Sequence, residues 1–499
     1  MTARWRLVAF LLAGAAFGVL ATANAAGYRF GGSDQAIYVP TVTRAGDARA
    51  FPRDGALIDA QGALTLVDEV LAGAERVTGL TTEHLFFGSY LAALGLTWAG
   101  IVAIGSRVYA SPWMIAALGA AFTLRHRITM TAANTFEPYF HPRMVAFALG
   151  LLALGAVLRR RLWLAIAIIG VSGVVHTTTA LWFAMLIGVA MAILDRRFRG
   201  VVVAAAVGAA GVLLWAALAG PLRNPEAVMD EVWLNAVSTK DFLFPDDWPV
   251  WAWIANIGTL ALLWIAHQVR RRRGTATAED GALVWGATAL VALFLITLPL
   301  VVSRVALAVE FQVARVFWLV DALATVYGLA ALAEWRVRTR PLAATLAAVL
   351  LAISVSRGLY VGVLEHPERA LFAIATPPSP WEDAMQWLSR QPADIHVLAD
   401  QGHSWKFGTS VRVSAGRDVF LEEVKDRAVA IYSREVAGRV IERTMAVGDF
   451  KDLTAERAQA LAARYDLDVL VTDADLPLPV AYRNAQFRIY RITPAAATR

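Results

Sequence analysis

Residues 162–194 read LWLAIAIIGVSGVVHTTTALWFAMLIGVAMAIL. The stretch holds no charged residue and is bracketed by Arg159-Arg160-Arg161 on one side and Arg196, Arg197 and Arg199 on the other. At 1.5 Å per residue a single helix of this length would run about 50 Å, against a hydrocarbon core of about 30 Å. Arginines gather at the cytoplasmic ends of membrane spans, so a run that starts and ends on arginine crosses an even number of times. The reading is two short helices turning near His176-Thr177-Thr178-Thr179. One long tilted helix would instead invert everything downstream and place Arg270–Arg273 outside.

The rest of the chain is written the same way. Hydrophobic residues make up 58% and charged residues 17% of its 499 positions, and the mean hydropathy is +0.53. A soluble chain carries about 25% charge, so this composition excludes disorder and argues against a purely soluble multidomain enzyme. Without a single cysteine, disulfides, thiolate metal sites and a cysteine nucleophile are excluded. Apolar runs stand near 7–26, 85–105, 108–124, 144–158, 162–175, 177–194, 201–219, 250–268, 282–302, 313–333 and 342–362. Arginines flank them at Arg4/Arg6, Arg107, Arg159–Arg161, Arg196/Arg197/Arg199, Arg270–Arg273 and Arg336/Arg338/Arg340.

Placing all these arginines inside gives an α-helical polytopic membrane protein of about eleven transmembrane helices. Its N-terminus is cytoplasmic and its C-terminus extracytoplasmic, in a bacterial inner membrane. The first run, ending in Ala21-Thr22-Ala23-Asn24-Ala25-Ala26, also fits a cleavable signal peptide, but it is read here as a retained anchor. The net charge of +6 lies mostly in these arginine runs, and their lack of interleaved aromatics speaks against nucleic acid.

Two regions follow: a transmembrane domain, 1–362, with an outer loop at 27–84, and an extracytoplasmic α/β domain, 363–499. In the latter, Ser379-Pro380-Trp381-Glu382 is a helix start. Residues 395–399, 411–415, 468–473 and 487–492 alternate like strands, and 421–445 and 455–465 read as helices. Within the outer loop, residues 64–78 form an amphipathic helix. Leu64, Val67, Val70, Leu71, Ala74 and Val77 share an apolar face suited to lying flat on a membrane, or to packing on another loop.

Candidate chemistry gathers on the outer side. Asp34, in GYRFGGSDQAIYVP at 27–40, follows directly on the first span. Its carboxylate is placed to take a proton from a hydroxyl, or to bind a metal ion, or simply to cap the next segment as an Asx turn. Arg125, His126, Arg127, Glu137, His141 and Arg143 crowd the second outer segment. Arg143 opens a span and suits a phosphate, or it snorkels to lipid headgroups. Glu137 and His141, four apart, have ligand spacing, but Pro138 and Pro142 interrupt any helix there. His176 lines a cavity or caps its own turn. Arg304, Glu310, Arg315 and Asp321 cluster around the outer end of the 313–333 run, with Arg357 a partner for Asp321, and Asp246-Asp247 reads as an exposed turn.

Taken together, the first span, the long outer loop with its early Asp34 and flat helix, the many spans and the outer α/β domain resemble the GT-C superfamily of membrane glycosyltransferases. The segments Tyr139–Arg143, His176–Thr179 and Gln312–Arg315 are similar to those of uncharacterised bacterial relatives of that superfamily. The resemblance implies transfer of a sugar from a polyprenyl-phosphate donor to an envelope acceptor, with Asp34 as the catalytic position. It implies Arg143, His141, Glu137, His176, Arg304, Glu310 and Arg315 around the substrate. No cofactor is certain. Asp34 is followed by Gln35-Ala36, so the Asp-X-Asp form of some members is absent and a divalent metal ion stays open. Expected partners are membrane lipids and the lipid-linked donor. A transporter or flippase, or a non-catalytic membrane scaffold, is the alternative. P-loop, G-x-G-x-x-G, H-E-x-x-H and G-x-S-x-G signatures are absent.

Overall fold

A computed structural model describes residues 3–124, 127–220, 222–224, 226–336 and 340–492. Arg125, His126 and Arg338 lie outside the described residues. Among those described, eight helices are long and apolar enough to cross a membrane. They are Arg4–Asn24, Thr82–Val108, Thr177–Leu194, Phe198–Leu218, Val250–Arg272, Ala278–Val302, Ala306–Glu334 and Pro341–Glu365. The chain is thus mostly helical and has the make-up of an integral membrane protein. Shorter apolar helices, Pro112–Thr123, Pro142–Val157 and Leu162–Val175, occupy the remaining apolar runs. The 162–194 stretch does break in two. His176 ends one helix in extended backbone and starts the next, with its Nδ1 accepting from the Thr179 amide at 3.3 Å.

The chain divides into two units. The helical unit comprises Met1–Tyr28, Gly88–Gly220 and Lys240–Phe372. Its first helix is tied in along its length. Trp98 Nε1 donates to the Phe10 carbonyl at 3.0 Å, Thr22 meets the Tyr90 hydroxyl at 2.9 Å, and Arg357 donates to the Asn24 carbonyl at 2.7 Å. A Cβ on Gly14 would lie 2.8 Å from the Trp98 ring, so only glycine lets the helices come this close. Arginine-bearing helix ends meet at one end of this unit. Arg107 donates to the Leu158 carbonyl and Arg159 to Ser106, while Arg160 pairs with Glu279. Arg270, buried, reaches Asp280 at 2.9 Å and Glu334 at 3.0 Å. These arginines are therefore woven into the bundle, Arg160 and Arg270 by carboxylates and Arg107 and Arg159 by neutral acceptors.

The second unit comprises Arg29–Phe87, Pro221–Thr239 and Ala373–Arg499, so the segments at 29–87 and 221–239 cluster with the C-terminal region. Its centre is a mixed five-stranded sheet: β1 (His396–Leu398), β2 (Asp418–Val419), β3 (Val469–Thr472), β4 (Val480–Arg483) and β5 (Arg488–Arg491), in spatial order β2-β1-β3-β5-β4. β1 runs parallel to β2 and β3, with Val397 opposite Val419 and Val469. β5 closes antiparallel on β3, Leu470 facing Tyr490, and β4 follows it on the edge. Val397, Val419, Val469, Val471 and Ile489 pack under Trp381, Met385 and Leu388 of helix Pro380–Ser389. Ser379 caps that helix through the Glu382 amide, as its sequence foretells.

Local readings fail in four places. Residues 411–415 are not a strand: Val411–Ser414 is a short helix capped by Ser410. The Val-Arg-Val alternation misleads because Val411 and Arg412 are both buried, the arginine within a set of carboxylates. The 421–445 helix is two, Glu423–Val429 and Arg434–Val447, the second started afresh by its cap Ser433. Strand β4 was not foreseen. The 64–78 helix begins only at Val67, and of its apolar face Leu71 is buried while Val70 and Val77 are exposed.

Candidate functional site

Asp34 belongs to the second unit. Before it, Gly31 at φ +79° and Ser33 at φ +51° bend the chain sharply, and the Gly31 amide donates to Gln35 Oε1 at 2.7 Å. Asp34 stands at the N-terminal boundary of helix Gln35–Gly46, yet its side chain makes no capping bond. Its Oδ1 instead takes the Lys425 ammonium at 2.6 Å, with Ser33 Oγ 3.4 Å from the same nitrogen. The Asp34 side chain keeps 27% of its exposure, against 11% for Lys425. The carboxylate is oriented by its ionic partner and reachable, conditions a general base needs.

The same unit holds a buried ionic cluster. Asp54 accepts from Arg412 Nε at 2.8 Å, from the Val419 amide at 3.0 Å and from Arg439. Arg412 reaches on to both oxygens of Asp426, at 2.6 and 3.1 Å. Burial alone would raise the Asp54 carboxyl, but the Arg412 and Arg439 charges hold it below the ordinary carboxylate range. For its neighbours the nearby cations do not outweigh burial. Burial, then the Asp54 charge, pushes Asp418 up to about 6. Burial, then the Asp426 charge, pushes Glu422 up to about 7.

In the helical unit, five of the residues singled out from sequence come together. Arg143 Nη2 meets Glu137 Oε1 at 2.9 Å with both side chains buried, and Asn134 donates to the same oxygen at 3.1 Å. His141 caps helix Pro142–Val157, its Nδ1 accepting from the Arg143 amide at 3.0 Å. The His141 and His176 rings lie 6.0 Å apart. The Arg143 and Arg315 charges both act on the His176 imidazole. Because both histidines use Nδ1 as acceptor, Nε2 carries the proton of each ring. Arg143 stacks over Trp318, which lies against Phe147 with ring centroids 4.1 Å apart and bonds Thr135 through Nε1 at 3.2 Å. Two helix N-termini, two arginines and two imidazole donors, with Glu137 on Arg143, make this an anion-seeking place.

Gln312, at φ +49°, turns the chain so that Arg315 stands 5.9 Å above the Phe242 ring. Phe242 also lines an apolar pocket with Leu243, Phe294, Leu298 and Gln312. Glu310 is buried on the short helix before this turn. Arg304 holds both oxygens of Asp246, at 3.0 and 2.8 Å, and lies over Phe244, so Asp246 of the expected turn has an ionic partner. Arg357 bonds Asn24 through both its carbonyl and its side chain. Among the described residues no three His, Asp or Glu side chains group as a metal site, and Glu137 is engaged by Arg143.

Sequence reasoning missed Lys425, Asp54 and Arg412. Lys425 sits in Glu422-Glu423-Val424-Lys425-Asp426-Arg427, which reads as an ordinary solvated helix face. Its one distinguishing mark is being a lysine in a chain that writes nearly all its cations as arginine. No family model matches the chain, and no curated protein matches it.

Proposed function

We propose that the chain is a polyprenyl-phosphate-dependent membrane glycosyltransferase of GT-C type, with its N-terminus in the cytoplasm and residues 373–499 outside a bacterial inner membrane. The observation that carries this reading is Asp34: ten residues past the end of the first long apolar helix, half-buried, and held by a charge-assisted bond to Lys425. In such an enzyme Asp34 takes the proton of an acceptor hydroxyl as that oxygen attacks the sugar's anomeric carbon. The bond to the lipid phosphate breaks on the opposite face, and the configuration inverts. Within the helical unit, Arg143 and Arg315, with the Nε2–H groups of His141 and His176, suit a phosphate oxygen. Exposed Val70 and Val77 on helix Val67–Thr78 suit contact with lipid.

The test uses full-length protein in lipid nanodiscs with a panel of polyprenyl-phosphate-linked sugars and envelope acceptors. Turnover by the native chain that Asp34→Asn abolishes, with thermal stability retained, supports the reading. No turnover with any donor defeats it.

A second reading, a transporter or flippase, draws on the buried Glu137–Arg143 pair beside the helix break at His176, since ionisable groups at interrupted helices mark substrate paths. Movement of a lipid-linked sugar across vesicle membranes, unaffected by Asp34→Asn, would favour it.

A further inference from the structure

The turn that carries Asp34 is seated on the C-terminal region at several points. A Cβ on Gly31 would lie 3.0 Å from Val413 Cγ1 and 3.2 Å from Thr409 Cγ2, so the glycine turn rests directly against the Val411–Ser414 helix. Further along, the Arg53 and Asp54 amides donate to Asp418 at 3.1 and 3.0 Å. Between these anchors, Lys425 reaches Asp34. Lys425 is itself fixed. Its amide donates to Glu422 Oε2 at 3.0 Å, the cap of its helix, and the next residue, Asp426, is clamped by Arg412. A lysine on a frayed surface helix would leave its ammonium mobile. Here the helix start is buried and ionically pinned, so the ammonium is delivered to one place.

We propose that Lys425 is a positioning residue for the Asp34 base, so that the C-terminal α/β region completes the catalytic site. The inference rests on the glycosyltransferase reading of Asp34. Lys425 keeps its proton throughout; the acceptor's proton goes to the Asp34 carboxylate. The ammonium acts in two ways. It fixes the carboxylate in one rotamer, which sets the geometry of attack, where a displacement of about 1 Å costs roughly a hundredfold in rate. It also favours the ionised form, since an opposite charge at this distance lowers a carboxyl's proton affinity by about 1–3 units. Charges near the pair include Glu422 and Asp426 on the Lys425 helix and Arg412 behind them; on the Asp34 helix, Arg44 is occupied by Asp59.

The experiment compares native protein, Asp34→Asn, Lys425→Met and Lys425→Arg, all full-length in nanodiscs. The carboxylate infrared band lost in Asp34→Asn reports the ionisation of Asp34. In Lys425→Met its midpoint moves up by about one unit or more, and Lys425→Arg restores it. With a polyprenyl-phosphate-linked sugar that the native chain turns over, Lys425→Met lowers kcat at least about tenfold with the donor KM unchanged. The acid limb of the rate profile moves up with the infrared midpoint. A midpoint and an acid limb that stay put in Lys425→Met overturn the inference, whatever happens to kcat. Should the infrared shift appear while the native chain turns over no donor, the glycosyltransferase reading fails and the positioning role with it. Turnover that Lys425→Met leaves intact sinks the positioning role alone.

Discussion

Arg412 and Asp54, 358 residues apart in sequence, meet at 2.8 Å with both side chains fully buried. The pair is the centre of a clasp. Asp54 caps the β2 backbone at Val419 and also takes Arg439, while Asp418 returns two bonds to the Arg53 and Asp54 amides. The segment after the first helix is therefore locked to the sheet by ionic bonds in a water-poor place. Removing one partner from such a set leaves an uncompensated charge, which costs about 3–5 kcal/mol. Arg412→Met leaves Asp54 with Arg439 as its cation and takes the clamping guanidinium from Asp426, so a loss of that order is expected, read as a lower thermal midpoint and faster proteolysis within residues 29–87. An unchanged midpoint would show that the clasp adds nothing to stability.

The carboxyls beside the clasp make its stability pH-dependent. Glu422 is held near 7 when folded, above the ordinary glutamate value, with burial the main cause. Between those values the folded chain binds more protons than the unfolded one, so this group's contribution falls as pH rises from about 4.5 to 7. His396 and His403 work the other way. Burial lowers both to about 4, so they favour the folded state more as pH rises from 4 towards 6.5. Glu422→Gln removes only the first effect. It should raise the thermal midpoint at pH 8 and leave it nearly unchanged at pH 4.5. The stabilisation above pH 7 is bounded by about 3 kcal/mol. A gain of equal size at both pH values would contradict the assignment.

Arg304 is expected to be dispensable for turnover. Its two bonds to Asp246 form a pair about one-quarter exposed at each end, which is worth about 1 kcal/mol or less. Arg304→Gln should shift the thermal midpoint by only a few degrees and leave kcat/KM within about twofold. A tenfold loss in kcat/KM would restore it to the substrate-binding set.

What could be read from the sequence follows how local its cause is. Each apolar run is a helix among the described residues, eight of them long enough to cross a membrane, because a helix satisfies the backbone of an apolar stretch within itself. The break at His176 was visible because a histidine and three threonines interrupt the apolar run; His176 and Thr177 bond the backbone, and the Thr178 and Thr179 hydroxyls meet the His176 ring. Glu137, His141 and Arg143 were found because they stand close in sequence around two prolines. The long-range contacts were not legible. Nothing near Asp34 announces Lys425, and nothing near Asp54 announces Arg412. Val-Arg-Val at 411–413 reads as a strand unless one knows that the arginine has buried partners. The pattern shows that helix Val67–Thr78 is amphipathic, but not that Leu71 is buried while Val70 and Val77 stay exposed.

Glu137 and Arg143 allow structure and function to be separated in the anion-seeking cluster. Both are buried, so Arg143→Met alone leaves Glu137 charged without its main partner and should destabilise the protein by about 3–5 kcal/mol. The double change Glu137→Gln with Arg143→Met removes both charges, and replacing a whole buried pair is often neutral for folding. The double variant should therefore recover most of the native thermal midpoint. If Arg143 serves only the fold, turnover of a lipid-linked sugar returns as well. If it faces the leaving phosphate, stability returns while kcat stays at least about a hundredfold down, the cost typical of losing one preorganised charge-stabilising donor. Arg143→Lys separates the cases further. A lysine keeps the charge near Glu137 but loses the planar fork, so a phosphate role predicts a stable protein with impaired turnover. Full activity in the double variant would remove Arg143 from the mechanism.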